Sequence, residues 1–260
     1  MRGAIRLFRG ENRLLHGALL TLLLVVGMTV DTLAGQRVQE LRSTGEIMLK
    51  SGDTVCLADV VMPSVLIGDA GMDERVIATL KIFLDGKDIQ VVPSSDWAGR
   101  DRYGRISGDV VDPTGLSARD HLLSAGLVMV YAGADRPAGE VTALLAREDL
   151  AREQERGLWR SPQVLDPAQV TASRQTMVLV EGIIRRAQET SSGGYLNFGD
   201  DWRTDFTVKV SPAAAKALRR RDGGLEALNG RMVRVRGWVR PENGPMIDLD
   251  QPAHLELLPP

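Results

Sequence analysis

The sequence predicts a mainly β fold with helices (α+β), laid out as two small barrels in tandem. Three observations carry this reading. Short extended runs bounded by Gly and Pro alternate with amphipathic helical stretches between Gly45 and Arg160. After Thr176 the order changes to three strands, a helix and two strands. Within that second region "RMVRVRGWV", Arg231 to Val239, alternates Arg with Val at period 2, which predicts one apolar and one basic face.

In chain order, "EIMLK" and "TVCLADVV" read as two strands joined at Ser51-Gly52, and Pro63 stops the second. Val76, Ile77, Leu80, Phe83 and Leu84 fall at helical spacing, with Gly86 placed to end the helix. Strands follow at Lys87 to Val92 and Ile106 to Val111, then a "DPTG" turn. "SARD" from Ser117 resembles a helix-opening capping box with Asp for Glu, and a last helix runs from about Pro137 to Arg156 before Gly157. "SPQVLDPAQV", with two prolines and no period, places a linker at 161–172 between a first domain at 35–160 and a second at 173–260.

In the second domain, strands are expected at Thr176 to Gln188, Tyr195 to Gly199 and Phe206 to Val210. An Ala-rich helix at Pro212 to Arg221 and strands at Met232 to Arg240 and Met246 to Leu249 complete it. That order is the order of an OB-type five-stranded barrel. Gly193-Gly194 marks a hairpin.

The N-terminus predicts export. Arg2, Arg6, Arg9 and Arg13 precede an apolar run from Ala18 to Val30 and the small-residue "TLAG". Residues 1–34 therefore read as a signal peptide or an N-terminal membrane anchor, giving a periplasmic or inner-membrane-tethered protein. The 260 residues carry a formal charge of −2, so any nucleic-acid contact needs a local basic patch. Cys56 is the only cysteine, which excludes an intramolecular disulfide. His16, His121 and His254 are too scattered for zinc spacing or a Ser-His-Asp arrangement.

"DRYGR" (Asp101 to Arg105), "LLSAGLVMVY" (Leu122 to Tyr131) and "AREQERGLW" (Ala151 to Trp159) give the first domain a resemblance to the staphylococcal nuclease (thermonuclease-like) family. "GYLNFGDDWRTDFTV", Gly194 to Val208, resembles the second domain found beside this module in exported bacterial members. The resemblance implies an SNase-like OB barrel. It also implies calcium held by carboxylates, a Glu that positions water, and two Arg that neutralise transition-state charge.

Aligning "VCLADVVMPS" with the family's "VRLAGIDAPE" needs no gap and makes "GDTV" the start of a strand after the Ser51-Gly52 turn. Gly45 and Val61 then stand at the two metal-binding Asp positions, Cys56 at the first catalytic Arg and Ser64 at the catalytic Glu. Arg105 is the surviving catalytic position, with Tyr103 beside it. No cofactor is expected; Ca²⁺ enters only under the alternative of a metal-dependent nuclease with a rearranged site. Asp59 is the substitute carboxylate for that alternative, two residues before Val61 and so on the same strand face, displaced by roughly 7 Å. Glu46, Asp69, Asp73 and Glu74 are other acids nearby, the last two suited to a helix start.

In the second domain, Tyr195, Phe198, Trp202 and Trp238 are candidate stacking residues, with charge from Arg203, Arg231, Arg234 and Arg236. Asp200, Asp201 and Asp205 around Trp202 repel phosphate, so the expected partner is a protein ahead of single-stranded nucleic acid. The function expected is an exported, degenerate nuclease-fold protein used as a binding or scaffold module of the cell envelope.

Overall fold

The computed structural model describes residues 33–66, 71–94, 100–161, 163–172 and 176–259. The N-terminal apolar run expected to be a signal peptide or membrane anchor, the chain after it up to Thr32, and His16 and Asp69 lie outside the described residues. Among the described residues no helix is long and apolar enough to cross a membrane.

The first barrel comprises β1 (Leu33–Gln36), β2 (Val38–Leu41), β3 (Ile47–Leu49), β4 (Thr54–Leu57), β5 (Val60–Val61), β6 (Ile89–Pro93), β7 (Ile106–Val111) and β8 (Met129–Val130). Its helices are α1 (Met72–Leu84), α2 (Ala118–Ser124) and α3 (Ala138–Glu153). Six strands form one sheet in the order β1-β6-β7-β4-β3-β2, while β5 pairs with β8. β4 and β7 run parallel, and the other neighbours in that sheet are antiparallel. The β3–β4 hairpin turns at Ser51-Gly52, with Ile47 opposite Val55 and Met48 opposite Thr54. Gly52 adopts φ +92, which glycine takes without steric cost. "GDTV" therefore enters the second strand of this hairpin.

α1 buries Val76, Leu80, Phe83 and Leu84 of the stripe its spacing predicts, and leaves Ile77 half-buried. α2 opens at Ser117, whose side chain accepts a hydrogen bond from the Asp120 amide. β1 and β2 were not expected, and β1 takes Leu33 and Ala34 from the segment assigned to the leader by pairing with β6. Strands this short have no legible period; their partners define them.

The second barrel comprises β9 (Val164–Leu165), β10 (Met177–Ile183), β11 (Arg186–Thr190), β12 (Gly193–Asn197), β13 (Thr207–Val210), β14 (Met232–Pro241), β15 (Pro245–Leu249) and β16 (Leu255–Leu257), with α4 (Pro212–Asp222) between β13 and β14. The sheet order is β11-β12-β13-β15-β14-β10-β9, with β16 also on β14. β10 and β11 are successive halves of one bent run, so the sheet curls round from one half to the other. The parallel β13–β15 pair and the helix position complete the OB-type order. The segment expected to be a linker is not a free tether, because β9 pairs in parallel with Leu179 and Val180 of β10.

The two barrels share a strand. On β10, Met177 and Leu179 join the core of the first barrel, while Val178 and Val180 join that of the second. "MVLV" is apolar throughout because both faces of the strand are covered. β14 has the apolar and the basic face its alternation predicts, but the basic face is not free. Val233, Val235 and Val239 line the second core, but Arg236 on the opposite face is fully buried against Glu148 of α3 and Glu256 of β16. Alternation distinguishes the two faces of a strand; it does not reveal that a neighbouring domain covers the polar one.

Candidate functional site

The cleft of the first barrel is assembled from several separate places in the chain, Leu122 of α2 and Val128 among them. The turn before β3 supplies Gly45 and Glu46, β4 supplies Cys56, and β5 supplies Val61. α1 adds Val76 and Leu80, and the chain entering β7 adds Arg105. They enclose a cavity of about 280 Å³. Gly45, Cys56, Val61 and Arg105, four positions aligned from sequence with functional positions, thus line one cavity. Ser64 does not; it lies in the 3-10 turn after β5, where its amide donates to Asp73 Oδ1 at 2.8 Å.

Arg105 is held on two sides. Its Nε donates to Asp101 Oδ2 at 2.7 Å and its Nη1 to Glu46 Oε1 at 2.5 Å. These hydrogen bonds, with Asp101 contributing most, raise the guanidinium pKa above its ordinary value. The Arg105 and Arg42 hydrogen bonds hold the Glu46 carboxyl below the usual carboxylate range. Asp101 Oδ1 also accepts from the amides of Tyr103 and Arg105, closing the "DRYGR" turn. Tyr103 stands outside it, 66% exposed, with the Arg102 and Arg105 guanidinium carbons 4.8 and 5.1 Å from its ring centroid. Burial pushes the Cys56 thiol pKa up, disfavouring the reactive thiolate.

The donor set does not fit calcium. Ca²⁺ takes six to eight oxygen ligands, and here Gly45 and Val61 offer no side-chain oxygen where the alignment puts the metal-binding carboxylates. Glu46 is bound to Arg105 and Arg42. Among the described residues no group of three or more His, Cys, Asp or Glu side chains gathers to hold a metal.

Asp59 is a correction to the sequence reading. It sits at φ +64 in the turn between β4 and β5, so strand alternation does not apply to it and it is not among the residues of the cleft. Its buried carboxylate accepts from Arg119 Nη1 at 2.9 Å and Arg136 Nη2 at 2.5 Å, tying this turn to α2 and to the loop after β8. Asp53 also stays out of the cleft, bound by Arg100 Nη2 at 2.7 Å.

In the second barrel, Tyr195 and Trp202 share a cavity of about 500 Å³. Phe198 points the other way; it is 7% exposed and packs on Phe206 at 5.1 Å between ring centroids. Arg203 is exposed and lies over the Trp202 ring at 4.5 Å. Arg234 is engaged by Glu181 and Glu256, and Arg236 is buried, so neither supplies a free cation. Sequence reasoning missed Gln188, Asn197, Thr207 and Met246, which line the same cavity. The signal was their place on alternate positions of β11, β12, β13 and β15, legible only once the strand pairing is known.

A small barrel with three helices and a cleft beside the "DRYGR" turn, packed on an OB-type partner barrel, is consistent with an SNase-like OB-barrel fold. Residues 75–161 match the family model of the Staphylococcal nuclease homologue, so the chain carries a staphylococcal-nuclease-like domain. Two curated relatives, each named "Uncharacterized endonuclease", come from Escherichia coli and Escherichia coli O157:H7. They are 34% and 33% identical over 88 residues, which is 34% of this chain and 52% of each relative. The chain thus spans about half the length of the curated relatives it matches. The family match begins after Gly45, Cys56, Val61 and Ser64 and contains Arg105.

Proposed function

We propose that this chain is a nuclease-family protein whose hydrolytic site is degenerate and which serves as an exported binding or scaffold module of the cell envelope. The observation that carries this is the cleft itself: its one guanidinium is clamped by Glu46 and Asp101, opposite Gly45, Cys56 and Val61. A clamped arginine can offer a remaining N–H to an anion, but it neither assembles a calcium site nor activates water. Export is inferred from the arginine-flanked apolar run, Ala18 to Val30.

The relatives' printed name, endonuclease, favours a second reading, a metal-dependent nuclease with a rearranged site. Incubating the purified full-length protein with single-stranded DNA, double-stranded DNA and RNA across Ca²⁺ and Mg²⁺ concentrations separates the two. The degenerate reading expects no cleavage above a buffer control. Cleavage that disappears in Arg105→Ala establishes the second reading instead. Fractionation of expressing cells tests export, with recovery in the cytosol as the contrary result.

A further inference from the structure

We propose that the Tyr195–Trp202 cavity of the second barrel binds a neutral oligosaccharide. The inference rests on the reading of the chain as a binding module and names what this barrel would bind.

The cavity lies on the outer face of β11, β12, β13 and β15, where Gln188 is opposite Tyr195 and Asn197 opposite Thr207. Met246 forms a buried apolar floor beside Thr207. Trp202 stands at the edge on the loop between β12 and β13, 48% exposed. That loop is tied down: the Asp201 amide donates to Asp205 Oδ2 at 2.8 Å, and Asp201 Oδ1 accepts from the Arg203 amide at 3.0 Å. An exposed indole on a braced loop and a half-buried phenol in the lining of one cavity of this size make a preorganised stacking site.

The ligand class follows from which polar groups are already engaged. Of the cations around the cavity, Arg240 and Arg203 have acidic partners, which leaves Arg186 of the lining and Lys209, opposite Tyr195 on β13. Arg240 is bidentate to Asp248, at 2.6 and 2.9 Å, and also bonds Glu242. Arg203 lies on the Trp202 ring 3.9 Å from Asp201. Arg186 is the cation of the lining, which also contains Asp200 and Glu242. The open hydrogen-bonding capacity is mostly uncharged. Asn197 uses its Oδ1 to accept from Thr207 and keeps its amide N–H groups. The Tyr195 hydroxyl and the side chains of Gln188 and Asn243 make no hydrogen bond among the described residues. Phosphate backbones are bound through cations free to displace counterions, and that supply is small here. Two aromatic faces with neutral amide and hydroxyl groups between them suit the apolar ring faces and equatorial hydroxyls of a sugar chain, a ligand class OB-type barrels accommodate.

The test is a titration of the full-length protein with neutral tetrasaccharides, namely chitotetraose, cellotetraose and maltotetraose, and in parallel with decathymidylate. Tryptophan emission and ligand-observed NMR give the readout. At least one tetrasaccharide is expected to change the emission, with that change absent in Trp202→Phe. Tyr195→Ala is expected to weaken NMR-detected binding about tenfold, and binding should be insensitive to salt. Binding of decathymidylate alone, weakening steeply with salt, overturns the proposal, as does no response to any tetrasaccharide at millimolar concentration. Neither outcome bears on cleavage by the first barrel, so failure here is distinguishable from failure of the degenerate-site reading.

Discussion

Arg236 of the second barrel and Glu148 of the first face each other at 2.8 Å, and neither side chain is exposed to solvent. The pair does not stand alone: Glu148 Oε2 accepts from the Val130 amide at 2.6 Å, and Arg236 Nη2 reaches Glu256 at 3.1 Å. Together with the shared strand β10, it makes the two barrels one packed body.

Removing one charge of such a pair strands the other in a dry interface. Arg236→Met is expected to lower stability by about 3–5 kcal/mol in denaturant unfolding. The double variant Arg236→Met/Glu148→Gln, which keeps an acceptor for Val130, should recover most of that loss. Equal losses in single and double variants would mean that the pairing itself is not what the interface requires.

His254 gives this interface an acid sensitivity. It stacks on Tyr131 at 4.8 Å, and its Nε2 accepts from the Ala132 amide at 3.1 Å, so that nitrogen must be unprotonated. Burial, assisted by the nearby Arg236 charge, pushes its pKa down to about 3. The unfolded chain takes up this proton near pH 6.5 and the folded protein does not. His254 therefore contributes stability above pH 6.5 that is lost as pH falls from there toward 3. Between pH 6 and 4 the slope of stability against pH should be shallower in His254→Gln, by about 1.4 kcal/mol per pH unit. Parallel slopes would show that the histidine does not titrate with folding.

The Asp59 carboxylate is buried between Arg119 and Arg136 at a positive φ. Asp59→Ala is expected to cost about 3 kcal/mol in thermal or denaturant unfolding. Because Asp59 is not a cleft residue, any effect on ligand binding in the cleft should be no greater than the fraction unfolded accounts for.

Replacing one aligned position should not restore a metal site. Gly45 sits at φ +84, and a Cβ there comes within 3.0 Å of Met62 Sδ, a flexible neighbour, so the backbone is the main obstacle. Gly45→Asp is expected to destabilise by about 1 kcal/mol. Calcium titration calorimetry on it should show no binding heat, since Val61 still faces the same cavity. Submillimolar calcium binding would show that one carboxylate suffices.

Arg105 joins Glu46 and Asp101 across the cleft mouth. Arg105→Ala should cost about 1 kcal/mol at neutral pH, the pair being partly solvated. Glu46 is held below its ordinary pKa by Arg105 and Arg42. Its contribution is present above the unfolded value of 4.5 and fades as pH falls below it, so wild type and variant should converge in acid. A difference that stays constant down to pH 3 would assign the loss to packing instead.

The sequence by itself determined the order of the main strands and helices, the turn at Ser51-Gly52 and the placing of Gly45, Cys56 and Val61 beside Arg105. The element order and the turn follow from local periodicity and turn residues, while the placing of Gly45, Cys56 and Val61 is what the family resemblance implies. It also made Tyr195 and Trp202 candidates, as aromatic residues on or beside strands. Only the tertiary structure decided that Asp59 is an anchor outside the cleft, that Phe198 is core, and that Arg236 is buried. A residue's neighbours in space can come from segments tens of residues away: Arg236 meets Glu148 across 88 positions. Short-range pattern fixes which face a side chain takes, and packing between domains fixes what that face meets.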